Sequence, residues 1–212
     1  MAFQALWEFT NLPIDVIKIL EKDLEINFDS ETQESTVGNN NINKEIRNSH
    51  NCWIPTSHWV GGFLWHYIQK ANRENFLYDI SHIDGETIQY TRYGEGQFYN
   101  WHGDDTLSNF YKPNFSNVNA TATRNDVNYI QQKSIQQHEL VRKISFSLQL
   151  SDPDDYEGGN LELLDDDDKL FVAPRIRGSL ILFDSRTRHR VCKITGGFRK
   201  SIVGWVVGPR WK

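Results

Sequence analysis

From Leu77 onward, apolar and polar residues alternate in short runs broken by turn residues, a rhythm that predicts an all-β sandwich or barrel. The clearest run is Lys143 to Leu150. Ile144, Phe146, Leu148 and Leu150 fall on one side and Lys143, Ser145, Ser147 and Gln149 on the other, as in a half-buried antiparallel strand. In the last run, Arg199 to Val207, the same alternation puts Arg199, Ser201, Val203 and Trp205 on one face. Earlier in the chain the period lengthens. Pro13 to Leu24 reads as an amphipathic helix, and Trp59, Phe63, Leu64, Tyr67 and Ile68 form the stripe of a second helix ending near Asn72 and packed against the outside of a sheet. Gly61-Gly62 weakens that helix unless close packing requires it. Asp29 to Asn51 is polar and reads as a mobile loop or strand connector. These patterns predict one domain over residues 1–212, with helical support in 1–76, a β core in 77–212 and a polar insertion at 106–139. An insertion of this kind, leaving directly after Asp104, suits a lid.

Composition narrows the possibilities by exclusion. The formal net charge is −5, from 28 acidic and 23 basic residues, which gives no electrostatic case for nucleic-acid binding. Cys52 and Cys192 form neither a disulfide framework nor a CxxC motif. The N-terminal residues lack a basic leader with an apolar stretch, and no eighteen apolar residues run together, so the expectation is a cytoplasmic protein without a membrane partner. Asp165 to Asp168 lacks the spacing of a calcium loop and reads as a solvated hairpin loop.

The candidate chemistry lies in Tyr93 to Asp105, YGEGQFYNWHGDD. His102 and Asp104 are two residues apart at the end of a strand-like run, so their side chains can converge on one cation. The best third ligand is His189, which follows an apolar run and is itself followed ten residues later by Arg199. Two histidines and one carboxylate suit non-haem Fe(II) and leave coordination positions open. A second HxD, His82-Ile83-Asp84, precedes Gly85, and there Asp84-Gly85 reads as a hairpin turn instead. Cys192 stands at an odd offset from His189, which turns it away from a metal and makes it a packed thiol.

His102-Gly103-Asp104, His189 and Arg199, with the strand RKISFSLQLSD, the glycine pair in DYEGGNLELL and the run GSLILF between them, resemble the 2-oxoglutarate- and Fe(II)-dependent oxygenases of the prolyl-4-hydroxylase-like type over roughly Glu86 to Trp211. The resemblance implies a mainly β fold with flanking helices, the double-stranded β-helix or cupin-like jelly roll. It implies Fe(II) on His102, Asp104 and His189, and O2 and 2-oxoglutarate as co-substrates, with ascorbate as reductant. Arg199, Ser201 and Tyr93 would bind 2-oxoglutarate, its far carboxylate on Arg199. The product side would be succinate, CO2 and a hydroxylated prolyl residue in a peptide or protein. Arg199 stands where collagen-type members carry lysine, and Leu148 where the oxygen-sensing branch carries a tyrosine. Two other readings remain: a hydroxylase of a free amino acid or other small molecule, and a non-catalytic jelly-roll binding module holding a structural metal.

Overall fold

The computed structural model describes residues 6–9, 12–36, 42–104, 140–165 and 167–211. The insertion expected at 106–139 lies outside them. In chain order the elements are β1 (Leu6–Phe9), α1 (Ile14–Asn27), β2 (Gln33–Glu34), β3 (Arg47–Asn48), β4 (His50–Pro55), α2 (Trp59–Ala71), β5 (His82–Ile83), β6 (Thr87–Tyr93), β7 (Phe98–His102) and β8 (Leu140–Gln149). Then follow β9 (Tyr156–Gly158), β10 (Leu161–Leu164), β11 (Leu170–Val172), β12 (Leu180–Asp184), β13 (His189–Val191), β14 (Ile194–Gly197) and β15 (Arg199–Pro209).

The major sheet runs β1-β12-β8-β15-β6-β4-β2, with β5 also paired to β15, and the minor sheet runs β11-β10-β13-β7-β3. An apolar cluster that includes Tyr93, Ile181 and Phe183 from the major sheet and Leu161, Leu163 and Val191 from the minor one joins their inner faces. This is the jelly-roll arrangement. The outer face of the major sheet carries the larger cluster, in which Ile54, Ile88, Ile144, Phe146, Leu148 and Ile202 pack against Ile17, Leu20 and Leu24 of α1 and Val60, Leu64 and Ile68 of α2. Helical support is therefore present, but residues before 77 also supply strands to both sheets.

Three expectations are corrected. In β8 both faces are buried: Ser145, Ser147 and Gln149 are at most 6% exposed, because they face the space between the sheets and not solvent. The core stripe of α2 is Val60, Leu64, Ile68 and Ala71, whereas Trp59 is exposed and Phe63 and Tyr67 lie at the margin of the core. Those aromatics pack on one another, with ring centroids 6.3 Å apart for Trp59–Phe63 and 5.3 Å for Phe63–Tyr67. Finally, Asp84-Gly85 is no hairpin. β5 and β6 pair in succession with β15, and the turn at 84–86, where Gly85 has φ +65°, is a jog between them.

Gly61 and Gly62 differ. A Cβ on Gly61 would lie 2.3 Å from the Thr56 backbone oxygen, while one on Gly62 would meet nothing within 4 Å. Gly62→Ala is therefore expected to stabilise the fold by roughly 0.5–1 kcal/mol through helix propensity. Gly61→Ala should lower the urea midpoint, and equal midpoints for the two variants would contradict the packing described.

Candidate metal centre

β7 and β13 are neighbours in the minor sheet, with His102 directly opposite His189 in the register. Asp104, just past the end of β7, donates its backbone N–H to Ser185 O at 2.9 Å, which turns the carboxylate back toward both rings. Asp104 Oδ1 lies 3.8 Å from His102 Nε2 and Oδ2 lies 3.4 Å from His189 Nε2. One ligand atom from each of the three falls within 4.8 Å of the others, so the group can hold a metal ion.

The donor set fits a cation. His102 Nδ1 lies 2.7 Å from Asn100 O and His189 Nδ1 lies 3.0 Å from Thr187 O. A carbonyl only accepts, so each Nδ1 carries the proton and each Nε2 keeps its lone pair for the centre. Ser145 Oγ donates to Asp104 Oδ2 at 2.6 Å. His102 also stacks on Tyr99, with centroids 3.5 Å apart.

Burial, and then the neighbouring His189, push His102 down from the ordinary 6.5 to about 4. For Asp104, burial alone would raise the carboxyl, but the two imidazoles and the Ser145 hydroxyl outweigh it and hold it below the usual range. Between pH 6.5 and about 4 the unfolded chain thus takes up a proton at His102 that the folded chain refuses. The metal-free protein should lose stability as pH falls through this window. Urea midpoints at pH 7 and pH 5 should differ less in His102→Gln than in the wild type, and an unchanged difference would contradict this environment.

The triad opens into a pocket between the sheets. Arg199, Ser201, Val203 and Trp205, the face expected from alternation, all line it, as does Tyr93. Arg199 is 3% exposed, its Nη1 is 3.5 Å from Ser201 Oγ, and its guanidinium carbon is 5.9 Å from the Tyr93 ring centre. Among the described residues no carboxylate forms an ion pair with it. A buried cation of this kind calls for an anionic ligand.

Other residues were missed by the sequence reading. Arg47 is buried and lines the same pocket, with Nη2 donating to Gln89 Oε1 at 2.7 Å, Nε donating to Ser49 Oγ at 3.0 Å, and its guanidinium over the Tyr99 ring at 4.8 Å. It too has no carboxylate partner among the described residues. Tyr99, whose hydroxyl burial pushes up to about 12, and Gln89 complete that side. An isolated arginine in a polar stretch gives no periodic signal.

The remaining candidates fall elsewhere. His82 is outside the three-residue group, and Asp84 accepts from Arg142 Nε at 2.7 Å. Cys192 is a half-buried free thiol whose pKa is raised by burial and by Glu162. Asp165, Asp167 and Asp168 lie between β10 and β11, which pair antiparallel. Leu148 does not reach the pocket. It is fully buried on the helix side of β8, and the positions of that strand facing inward are Ser145, Ser147 and Gln149.

Comparison with known proteins agrees with the geometry. A PKHD-type hydroxylase of Picosynechococcus sp. is 32% identical over 142 residues, covering 66% of this chain and 51% of that protein. Another, from Parvibaculum lavamentivorans, is 43% identical over 63 residues, 30% of this chain and 28% of the relative. The chain thus spans about half or less of the length of these two curated relatives. In fold it is similar to a Pseudomonas putida prolyl 4-hydroxylase (TM-score 0.68, 18% identity, 98% of this chain and 94% of the other). It is also similar to a Trichoplax adhaerens prolyl hydroxylase in complex with a hypoxia-inducible-factor peptide fragment (TM-score 0.69, 16% identity, 96% and 84%). The model of the 2OG-Fe(II) oxygenase superfamily matches residues 88–207. With that match extending over more than half of its length, the chain belongs to the 2OG-Fe(II) oxygenase superfamily.

Proposed function

We propose that this chain is a 2-oxoglutarate- and Fe(II)-dependent dioxygenase that hydroxylates prolyl residues in a peptide or protein. The observation that carries the reading is the pairing, in one pocket, of a His102–Asp104–His189 donor set with the buried Arg199, which has no carboxylate of its own among the described residues. When bound, Fe(II) supplies the oxygen chemistry by which 2-oxoglutarate becomes succinate and CO2 and a substrate C–H becomes C–OH. The chain's part is to aim and exclude. His102, Asp104 and His189 hold the metal through two Nε2 atoms and a carboxylate oxygen, each free of a proton. Arg199 forms a two-pronged contact with the far carboxylate of 2-oxoglutarate, with the Ser201 hydroxyl and the Tyr93 ring beside it. The apolar wall of Phe183, Leu161 and Val191 keeps water from the reacting atoms.

Trp205, Val203 and Arg47 also line the pocket and offer apolar surface and a guanidinium to a substrate chain. Such surface suits the ring face and backbone carbonyls of an extended prolyl segment. The Trichoplax relative's peptide complex supports this choice of substrate class. The test is a hydroxylation screen with Fe(II), 2-oxoglutarate and ascorbate, using an array of proline-containing peptides and, in parallel, free amino acids. Oxygen incorporation into prolyl peptides is expected. Efficient hydroxylation of free amino acids, with none of peptides, would overturn the substrate assignment.

A further inference from the structure

Asp184 is not in the candidate triad, yet the groups it holds bear on two of its members. The turn from β12 to β13 supplies both carbonyls that face them: Ser185 O accepts from Asp104 N at 2.9 Å, and Thr187 O accepts from His189 Nδ1 at 3.0 Å. Asp184, 3% exposed, folds its carboxylate back onto this turn. Its Oδ1 accepts from the Arg186 backbone N at 2.9 Å and from Arg186 Nε at 2.8 Å, and its Oδ2 accepts from Arg186 Nη2 and the Tyr78 hydroxyl, both at 2.6 Å. Tyr78 is itself fixed by the Asn72 side chain, which accepts from Tyr78 N at 2.9 Å and donates to Tyr78 O at 3.0 Å. Trp211 covers the assembly, its ring 4.8 Å from the Tyr78 ring and 4.1 Å from the Arg186 guanidinium.

We propose that Asp184 is a positioning residue for the metal centre: by locking Arg186 and Tyr78 onto one turn it sets the aim of Asp104 and His189, and Trp211 packs on both partners of that lock. The proposal rests on the reading of His102, Asp104 and His189 as metal ligands. Four hydrogen bonds to one buried carboxylate make the turn rigid, because loosening any of them leaves charge poorly compensated in a low-dielectric site. A turn that wanders moves two ligand-facing carbonyls together. Partners of this outer kind typically change metal affinity by about 10–100-fold.

The test uses Co(II) as probe, with affinity measured against a competing chelator and geometry read from the Co(II) visible bands. Wild-type protein should bind one Co(II), and His189→Ala should not. Absence of wild-type binding would remove the metal reading and the proposal with it, an outcome separate from those that follow. Asp184→Asn is expected to weaken Co(II) by about 10–100-fold and to shift the visible bands while the near-ultraviolet dichroism stays that of a folded protein. Tyr78→Phe should weaken it several-fold in the same direction. A role in stability alone would lower the melting midpoint but leave wild-type affinity and bands in the folded variants, and that result overturns the proposal. Should Asp184→Asn fail to fold, Tyr78→Phe and Trp211→Ala decide by the same measurements: several-fold weakening supports the lock, and wild-type affinity refutes it.

Discussion

Asp104→Ala is expected to abolish 2-oxoglutarate turnover and to lower iron affinity by more than about a hundredfold, since removing a ligand should exceed the 10–100-fold typical of losing an outer partner. The fold should survive. Asp104 sits past the end of β7, outside both apolar clusters, and its described partners are Ser145, Ser185 and the two imidazoles. In the metal-free protein the two imidazoles and the Ser145 hydroxyl favour the charged carboxylate despite its burial, so the variant should still fold but with a melting midpoint somewhat below the wild type's. Metal analysis, near-ultraviolet dichroism and succinate release measured on one preparation would check all three. Iron stoichiometry and turnover equal to wild type would remove Asp104 from the site.

Arg199→Ala is expected to raise the apparent dissociation constant for 2-oxoglutarate by roughly ten- to a hundredfold or more, the equivalent of about 1.5–3 kcal/mol for a charge-assisted hydrogen bond. Arg199→Lys should fall between, because the charge remains but the fork does not. The neighbour gives the control. Lys200 points to the other face of β15, where its Nζ pairs with Glu25 and lies 3.3 Å from Glu21 Oε1, tying α1 to the sheet. Lys200→Ala should leave co-substrate affinity alone and lower stability through the lost, partly buried contacts with Glu21 and Glu25. Damage to 2-oxoglutarate binding from Lys200→Ala, with none from Arg199→Ala, would reverse the strand face assigned to the pocket.

How much of this could be read from residues alone depended on parity. Period-2 alternation placed Arg199, Ser201, Val203 and Trp205 on one face, and all four line the pocket. The i, i+2 spacing of His102 and Asp104 worked for the same reason, although Asp104 needs the Ser185 carbonyl to turn it inward. Leu148 follows the same rule. It alternates with Ile144 and Phe146 and is buried with them against the helices, so the position where the oxygen-sensing branch carries a tyrosine does not face the pocket in this chain. In α2 two adjacent stripes competed, and the aliphatic one took the core because it packs flush on the sheet, leaving the larger rings at the edge. Arg47 was unreadable. Its importance comes from β3 pairing with β7, Arg47 opposite Tyr99, and two-residue strands in a polar stretch leave no local pattern.

The most direct test of the central claim is an anaerobic titration of the Fe(II) protein with 2-oxoglutarate, followed by visible absorption. Chelation of Fe(II) by a 2-oxo acid produces a charge-transfer band. The wild type should develop that band to a one-to-one end point, Arg199→Ala should need at least roughly tenfold more co-substrate to reach it, matching the loss of one charge-assisted pair, and Asp104→Ala should not develop it. A wild-type protein that holds iron but shows no band at any 2-oxoglutarate concentration, or an Asp104→Ala variant that titrates like the wild type, would contradict the account.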